Sequence, residues 1–216
     1  MKKIAIFGAG GFGREVAQLV RDINKVEKQY DLVGFFDDGL PIGTRINSWE
    51  VLGGVNEVNQ QKEELYMVVA LGDPMTKKGV IQSIINSSIK WATLIHPNAI
   101  LGDRAFLNIG EGVIITAGCI VTVNINIGDH VILNLCCTVG HDTNIADYSS
   151  FMPTVNISGD VNIKQAVFVG TGAKIINLVE IGKNSIIGAG AVVSKHIPPN
   201  CTAVGVPAKP IKYHNE

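Results

Sequence analysis

The chain has 216 residues, 46% of them hydrophobic and only 17% charged, with a formal net charge of −1. So neutral a balance gives no electrostatic footing for nucleic acid or an anionic membrane surface. No apolar run approaches the roughly 18 residues that cross a bilayer, so the composition is that of a packed soluble protein of one large or two small domains.

In chain order, residues 2–7 (KKIAIF) read as a buried strand. The opening MKKIAIFGAGGFG is too short in its apolar part, and too broken by glycine, for a secretory leader. Gly8-Ala9-Gly10-Gly11-Phe12-Gly13 follows, then Val16, Leu19, Val20 and Ile23 at helical spacing over 14–23. A second strand over 32–36 ends in Asp37-Asp38. Strand, glycine turn, helix, strand and acid make the GxGxxG nucleotide fingerprint. Its glycines admit the backbone to a pyrophosphate, and the helix N-terminus presents N–H groups to it. Asp37 or Asp38 would then accept hydrogen bonds from a ribose or a base. The alternative is a tight turn whose glycines serve packing alone.

A dinucleotide site takes two such halves. Here only one more strand (66–71), Gly72-Asp73 and a helix over 78–86 precede a change of pattern. One half-site suits a single nucleoside diphosphate better than NAD, which weakens a dehydrogenase reading.

From Ile109 every sixth residue to Val193 is apolar, and four places after each comes a small or β-branched residue, from Val113 to Ile197. A period of six belongs to neither helix nor strand ladder but to a parallel β-helix, one strand and one corner per repeat. Just after the apolar step stand Gly110, Gly128, Asn134, Gly140, Gly170, Gly182 and Gly188. A tight corner asks there for positive φ or a missing Cβ. Fifteen flats make five coils, a rod of about 24 Å at roughly 4.8 Å per coil. The step of eight from Leu101 to Ile109 predicts an irregular capping coil. The domain boundary falls near 90–97, dividing the chain into 1–92 and 93–216, and Pro198-Pro199 stops the repeat.

The cysteines are Cys119, Cys136, Cys137 and Cys201. Two occupy inward corner places, and none has metal-ligand spacing, so free buried thiols of a reduced cytoplasmic protein are expected. Of the histidines, His96 before Pro97 reads as structural, and His130, His196 and His214 as surface positions. His141 lies two places after Val139; the same place elsewhere holds Glu111, Asp129, Asp147, Gln165 and Lys183, so it is a corner or outer position. A lone histidine there is ordinarily a solvated residue. Asn134, seven residues earlier, places a second polar group on an adjoining flat, and Asp142 would orient the ring if a corner brings the two together.

Together, GAGGFGREVA, FFDD, LNLCCTVGHD, GTGAKI, IIGAGAVV and GVPAK resemble the NeuD/PglD-type nucleotide-sugar acetyltransferases of bacterial surface-glycan synthesis, over nearly the whole chain. The resemblance implies an α/β Rossmann-like sugar-nucleotide-binding half-domain followed by an all-β left-handed parallel β-helix, against the usual right-handed crossover rule. It implies a homotrimer with acetyl-CoA in the groove between neighbouring β-helices, no metal, and no nucleic-acid or membrane partner. His141 matches the family's catalytic base and Asp142 its carboxylate partner; Asn134 matches a residue near the acceptor sugar. Gly10, Gly11, Phe12 and Gly13 match the loop around the nucleotide's phosphates, and Asp37 and Asp38 the acids near its base; Gly72 and Asp73 join this substrate set. Gly159, Gly170, Thr171, Gly188 and Ala189 match the CoA channel, and Lys209 would meet a CoA phosphate. The expected reaction is N-acetylation of a nucleotide-linked amino sugar, such as a UDP-4-amino-4,6-dideoxy sugar. O-acetylation of a sialic-acid-like sugar and non-catalytic sugar-nucleotide binding are the alternatives. Relatives commonly carry a second histidine nine residues after the base; here Ser150 stands in its place.

Overall fold

A computed structural model describes residues 1–214. The first part comprises β1 (Lys2–Phe7), α1 (Gly11–Val26), β2 (Tyr30–Phe36), β3 (Arg45–Ile46), β4 (Trp49–Glu50), α2 (Val55–Asn59), β5 (Leu65–Val69), α3 (Pro74–Ser83) and β6 (Ile89–Trp91). Its parallel sheet runs in the order β2-β1-β5-β6. β1 is buried on both faces, as a central parallel strand must be. Ile4 and Ile6 enter one core with Val16, Leu19 and Val20 of α1, while Ala5 and Phe7 enter another with Ile81 of α3.

The expected elements are present with shifted ends. α1 begins three residues before 14 because the last residues of the glycine turn wind into its first turn. α3 covers 74–83 rather than 78–86. Asp73 caps it by accepting from Thr76 N at 2.8 Å, and Pro74 takes the first helical place, where its missing N–H costs nothing. The β3–β4 hairpin, α2 and β6 were not anticipated.

From Leu94 the chain winds into a three-faced parallel solenoid with a mostly 18-residue coil, Ile114 pairing with Ile132 and Ile132 with Ser150. It has six coils rather than five, because flats at Leu94–Ile95 and Ile100–Leu101 precede Ile109 and the Ile181–Ile197 bridge completes the last coil. That first coil spaces Leu94 from Ile114 by 20 residues, absorbing the excess in a 3₁₀ turn at Arg104–Phe106. All but one of the predicted inward residues are fully buried; Ile109, at the irregular coil, is partly so. Where the inward corner residue is polar, its side chain donates to a carbonyl of the next coil. Thr143 bonds Ser158 O, Ser149 bonds Lys164 O, and Cys119 and Cys137 bond Asn134 O and Met152 O. A buried hydroxyl or thiol is thereby satisfied where an unpaired one would destabilise.

The corner expectation needs one correction. Positive φ falls two residues beyond the predicted glycines, and non-glycines bear most of it: Asn124 (φ 56), Cys136 (φ 59), Asp142 (φ 57) and Asp160 (φ 55). The predicted glycines are required by space alone: a Cβ on Gly170 would stand 2.6 Å from Ala189 N of the next coil.

The three faces differ in their covering. On the first, outward Leu94, Ile114 and Ile132 join the core beneath α1. The next outward residue, Ser150, is wholly buried and accepts a 2.7 Å hydrogen bond from Lys77 Nζ of α3. Lys77 is itself fully buried, and that burial pushes its pKa well below the ordinary lysine value. The third face carries an amide ladder, Asn108 to Asn126 (2.7 Å) and Asn144 to Asn162 (3.3 Å). The second presents Ile100, Ile120, Thr138, Asn156, Lys174 and Val192 outward, and Ile100 and Ile120 are exposed there. The C-terminal strands Cys201–Val204 and Lys209–Tyr213 close the end as an antiparallel hairpin.

Candidate functional site

The predicted residues assemble in three places. The first is the carboxyl end of the parallel sheet, where open α/β sheets bind ligands. The glycine turn after β1, Asp37 and Asp38 after β2, and Gly72 and Asp73 after β5 all gather there. The glycines divide by role. A Cβ on Gly13 would overlap Gly8 O, so Gly13 serves the packing of α1 against its own turn. A Cβ on Gly10 meets nothing within 4 Å, and on Gly11 only Arg14 at 3.9 Å. α1 has no side-chain cap and starts from exposed Gly10 and Gly11, which leaves its first N–H groups without a side-chain acceptor, the disposition an anion needs. Phe12 is half-buried against the α1 core. The acids do more local work than expected. Asp37 accepts from Ala9 N and from Gly39 N, both at 2.8 Å, and Asp38 accepts from Val55 N at 2.8 Å, at the start of α2. Asp37 thus ties the end of β2 to the glycine turn.

The second place is the solenoid edge that follows the first face. It carries Asn134, then, two coils on, Gly170 and Thr171, and on the next coil Gly188 and Ala189. Gly72 of the sheet reaches this edge, its position lying 3.8 Å from Met152 Cε. Asn134 is buried, its Oδ1 accepting from Leu135 N at 2.7 Å.

The third place is the edge after the second face, with His141, Asp142 and Gly159. His141 Nδ1 and Asp142 Oδ2 are 2.8 Å apart. Adjacent residues of a strand point to opposite faces; these two converge because Asp142 turns the corner in the left-handed region. Asn124, one coil earlier on this edge, donates to Asp142 Oδ1 at 2.9 Å. That bond first, and the His141 bond second, hold the Asp142 carboxyl below its ordinary range. With Asp142 as acceptor at Nδ1, the neutral form of the ring carries its proton there and its lone pair on Nε2. Gly159, one coil later, leaves room for the ring, since a Cβ there would overlap it. Sequence reasoning missed Asn124 and Asp160; the coil period of 18 would have found them, one coil before and one coil after Asp142.

Asn134 and His141 are not brought together: they mark successive edges of one coil, separated by a flat. The donor-channel candidates likewise divide between two edges, and Lys209 is exposed on the C-terminal hairpin. Ser150, under α3, faces no open site. His130 is corrected from surface to core. It is 5% exposed, packed between Trp91 and Tyr148, and its Nδ1 has no partner. Burial lowers its pKa to about 4. His196 is exposed, and His214 is partly buried 3.0 Å from Thr202 Oγ1. His96 accepts from Asn98 N at 3.0 Å, the structural place expected of it. A separate cleft of ≈ 550 Å³, lined by Asp73, Met75, Phe168, Lys183 and Ile186, opens where α3 meets the last rungs of the first face.

Known proteins share this arrangement. The family described as PglD N-terminal domain matches residues 3–84. GDP-perosamine N-acetyltransferase of Escherichia coli O157:H7 is 33% identical over 124 residues, 57% of this chain and 55% of that protein. The chain spans about half or less of the curated relatives it matches. The solved structure of WeeI from Acinetobacter baumannii AYE superposes with a TM-score of 0.87 at 30% identity, covering 98% of this chain and 100% of that one. PerB from Caulobacter crescentus, solved in complex with CoA and GDP-perosamine, gives a TM-score of 0.85 at 26% identity, covering 98% of each chain. The fold in common is an α/β half-domain followed by a left-handed β-helix.

Proposed function

The chain belongs to the NeuD/PglD-type nucleotide-sugar acetyltransferase family, and from that premise we propose that it moves an acetyl group from acetyl-CoA to the amine of a nucleotide-linked amino sugar. The observation that carries this reading is the Asn124–Asp142–His141 chain, which engages Nδ1 and leaves Nε2 free of that chain at an exposed edge. His141 Nε2 takes a proton from the amine as its nitrogen bonds to the acetyl carbon. The C–S bond breaks, and the CoA thiolate receives the proton back from the imidazolium. Asp142 keeps the ring oriented and offsets its transient charge. Backbone N–H groups at the glycine corners steady the oxyanion.

In this reading residues 1–92 hold the nucleotide at Gly10, Gly11, Phe12 and Gly13, with Gly72, Asp73 and Asn134 toward the sugar. Residues 93–216 carry out the transfer, with Gly159, Gly170, Thr171, Gly188, Ala189 and Lys209 along the acetyl-CoA path. Two relations support a homotrimer. The carboxyl end of the sheet meets the edge of Asn134 through Gly72 and Met152 while His141 projects from the next edge, an arrangement in which a second copy would supply the missing neighbour. Ile120, Val123, Leu135, Ile176 and Leu178 leave apolar surface exposed around that flat. No helix among the described residues is long and apolar enough to cross a membrane, in keeping with a cytoplasmic enzyme acting on soluble nucleotides. The name of the E. coli relative favours an amine acceptor over a hydroxyl.

The test is mass-spectrometric detection of acetyl transfer from acetyl-CoA to nucleotide-linked 4-amino sugars, in wild type and His141→Ala. General-base assistance is worth about 10²–10⁴-fold in kcat. A loss smaller than about tenfold removes His141 from the role, and acetylation of hydroxyl acceptors alone replaces the amine.

A further inference from the structure

Asp160 stands one coil beyond Asp142 at the same corner, with the same left-handed backbone (φ 55 against 57). Its N–H donates to His141 O at 2.8 Å, so it is tied to the residue that bears the ring. One donor atom each from His141, Asp142 and Asp160 lies within 4.8 Å of the other two. The carboxylates differ in employment. Both oxygens of Asp142 are engaged, by Asn124 and by His141, whereas that of Asp160 accepts no hydrogen bond among the described residues. Two anions at this range repel, and among the described residues no lysine or arginine pairs with either of them. The cation able to relieve them is the imidazolium of His141, which on the proposed reaction exists only while the proton is in transit.

We propose that Asp160 is a positioning residue of the transfer reaction, a second carboxylate that favours the protonated ring of His141 during transfer. This rests on His141 being the base. Among the described residues, the charged groups grouped with the ring are Asp142 and Asp160; Asn124 and Gly159, from the flanking coils, are neutral. The stabilisation is absent while the ring is neutral and present once the amine proton arrives. It therefore acts on kcat rather than on KM.

The test compares wild type, Asp160→Asn and Asp160→Glu. One unit charge at this range in water is worth about fivefold. The expected result for Asp160→Asn is a kcat lowered about fivefold, with KM for acetyl-CoA and for the amino-sugar nucleotide unchanged. The acid limb of its pH–rate profile moves to lower pH, and Asp160→Glu recovers most of the loss. Because exposed charges are screened, the gap between wild type and Asp160→Asn narrows at 1 M salt, where the Debye length is about 3 Å. A uniform loss at every pH with lowered thermal stability, or a raised acceptor KM at constant kcat, overturns the proposal. So does wild-type activity that EDTA abolishes and Mn²⁺ or Zn²⁺ restores, since the triad would then be a cation site. NMR titration of the His141 ring in wild type and Asp160→Asn needs no turnover. Coincident curves overturn the role of Asp160 whatever the reaction, whereas an absence of acetyl transfer by wild type overturns only the functional reading.

Discussion

The His141 ring lies against Gly159 of the next coil so closely that a single methyl group there would occupy its place. Gly159 does not have the positive φ that would itself demand glycine. Its smallness serves the side chain beside it.

Gly159→Ala therefore separates folding from chemistry. The exposed ring swings outward at little cost, so the thermal midpoint stays close to wild type. The ring leaves the orientation set by Asp142, and kcat falls by roughly the 10²-fold that a misplaced reacting group costs. A crystal structure of the variant checks the ring, and steady-state kinetics check the rate. An unchanged kcat would show that the ring works from another position.

The nucleotide turn offers a matched pair. Gly13→Ala forces a Cβ into Gly8 O, backbone against backbone, and is expected to lower the melting temperature sharply or prevent folding. Gly10→Ala projects into open space and leaves folding intact. If the turn cradles phosphates, Gly10→Ala weakens nucleoside diphosphate binding at least tenfold by calorimetry. Equal affinity in Gly10→Ala and wild type would leave this turn a packing device.

His130 makes the fold sensitive to acid. Its folded pKa is lowered from 6.5 to about 4 by burial, so the unfolded chain binds the proton more tightly. The stability contributed by the neutral ring is complete above 6.5 and is lost as pH falls toward 4, by up to roughly 3 kcal/mol. Urea unfolding at pH 7 and pH 4.5 measures it. His130→Asn, which tolerates the positive φ of 56 at this corner, is expected to be less stable at pH 7 and to show a smaller difference between the two pH values. An equal difference in both proteins would place the acid sensitivity elsewhere.

The sequence alone determined the prism. A six-residue period sustained from Ile109 to Val193 leaves one way to bury every apolar step, and all of those places turn inward. The strand–turn–helix of the first part was equally legible, because hydrophobic period and glycine spacing are local properties. What lies between coils was not. His130 and His141 both stand at corners of the repeat; Trp91 and Tyr148 bury the first, while the second is exposed. Asn124, Asp142 and Asp160 are far apart along the chain and become neighbours only through the 18-residue winding. Ser150, standing where relatives commonly carry a second histidine, is covered because α3 brings Lys77 down upon it. Periodicity states which way a side chain points; what it meets there depends on elements whose packing no local pattern encodes.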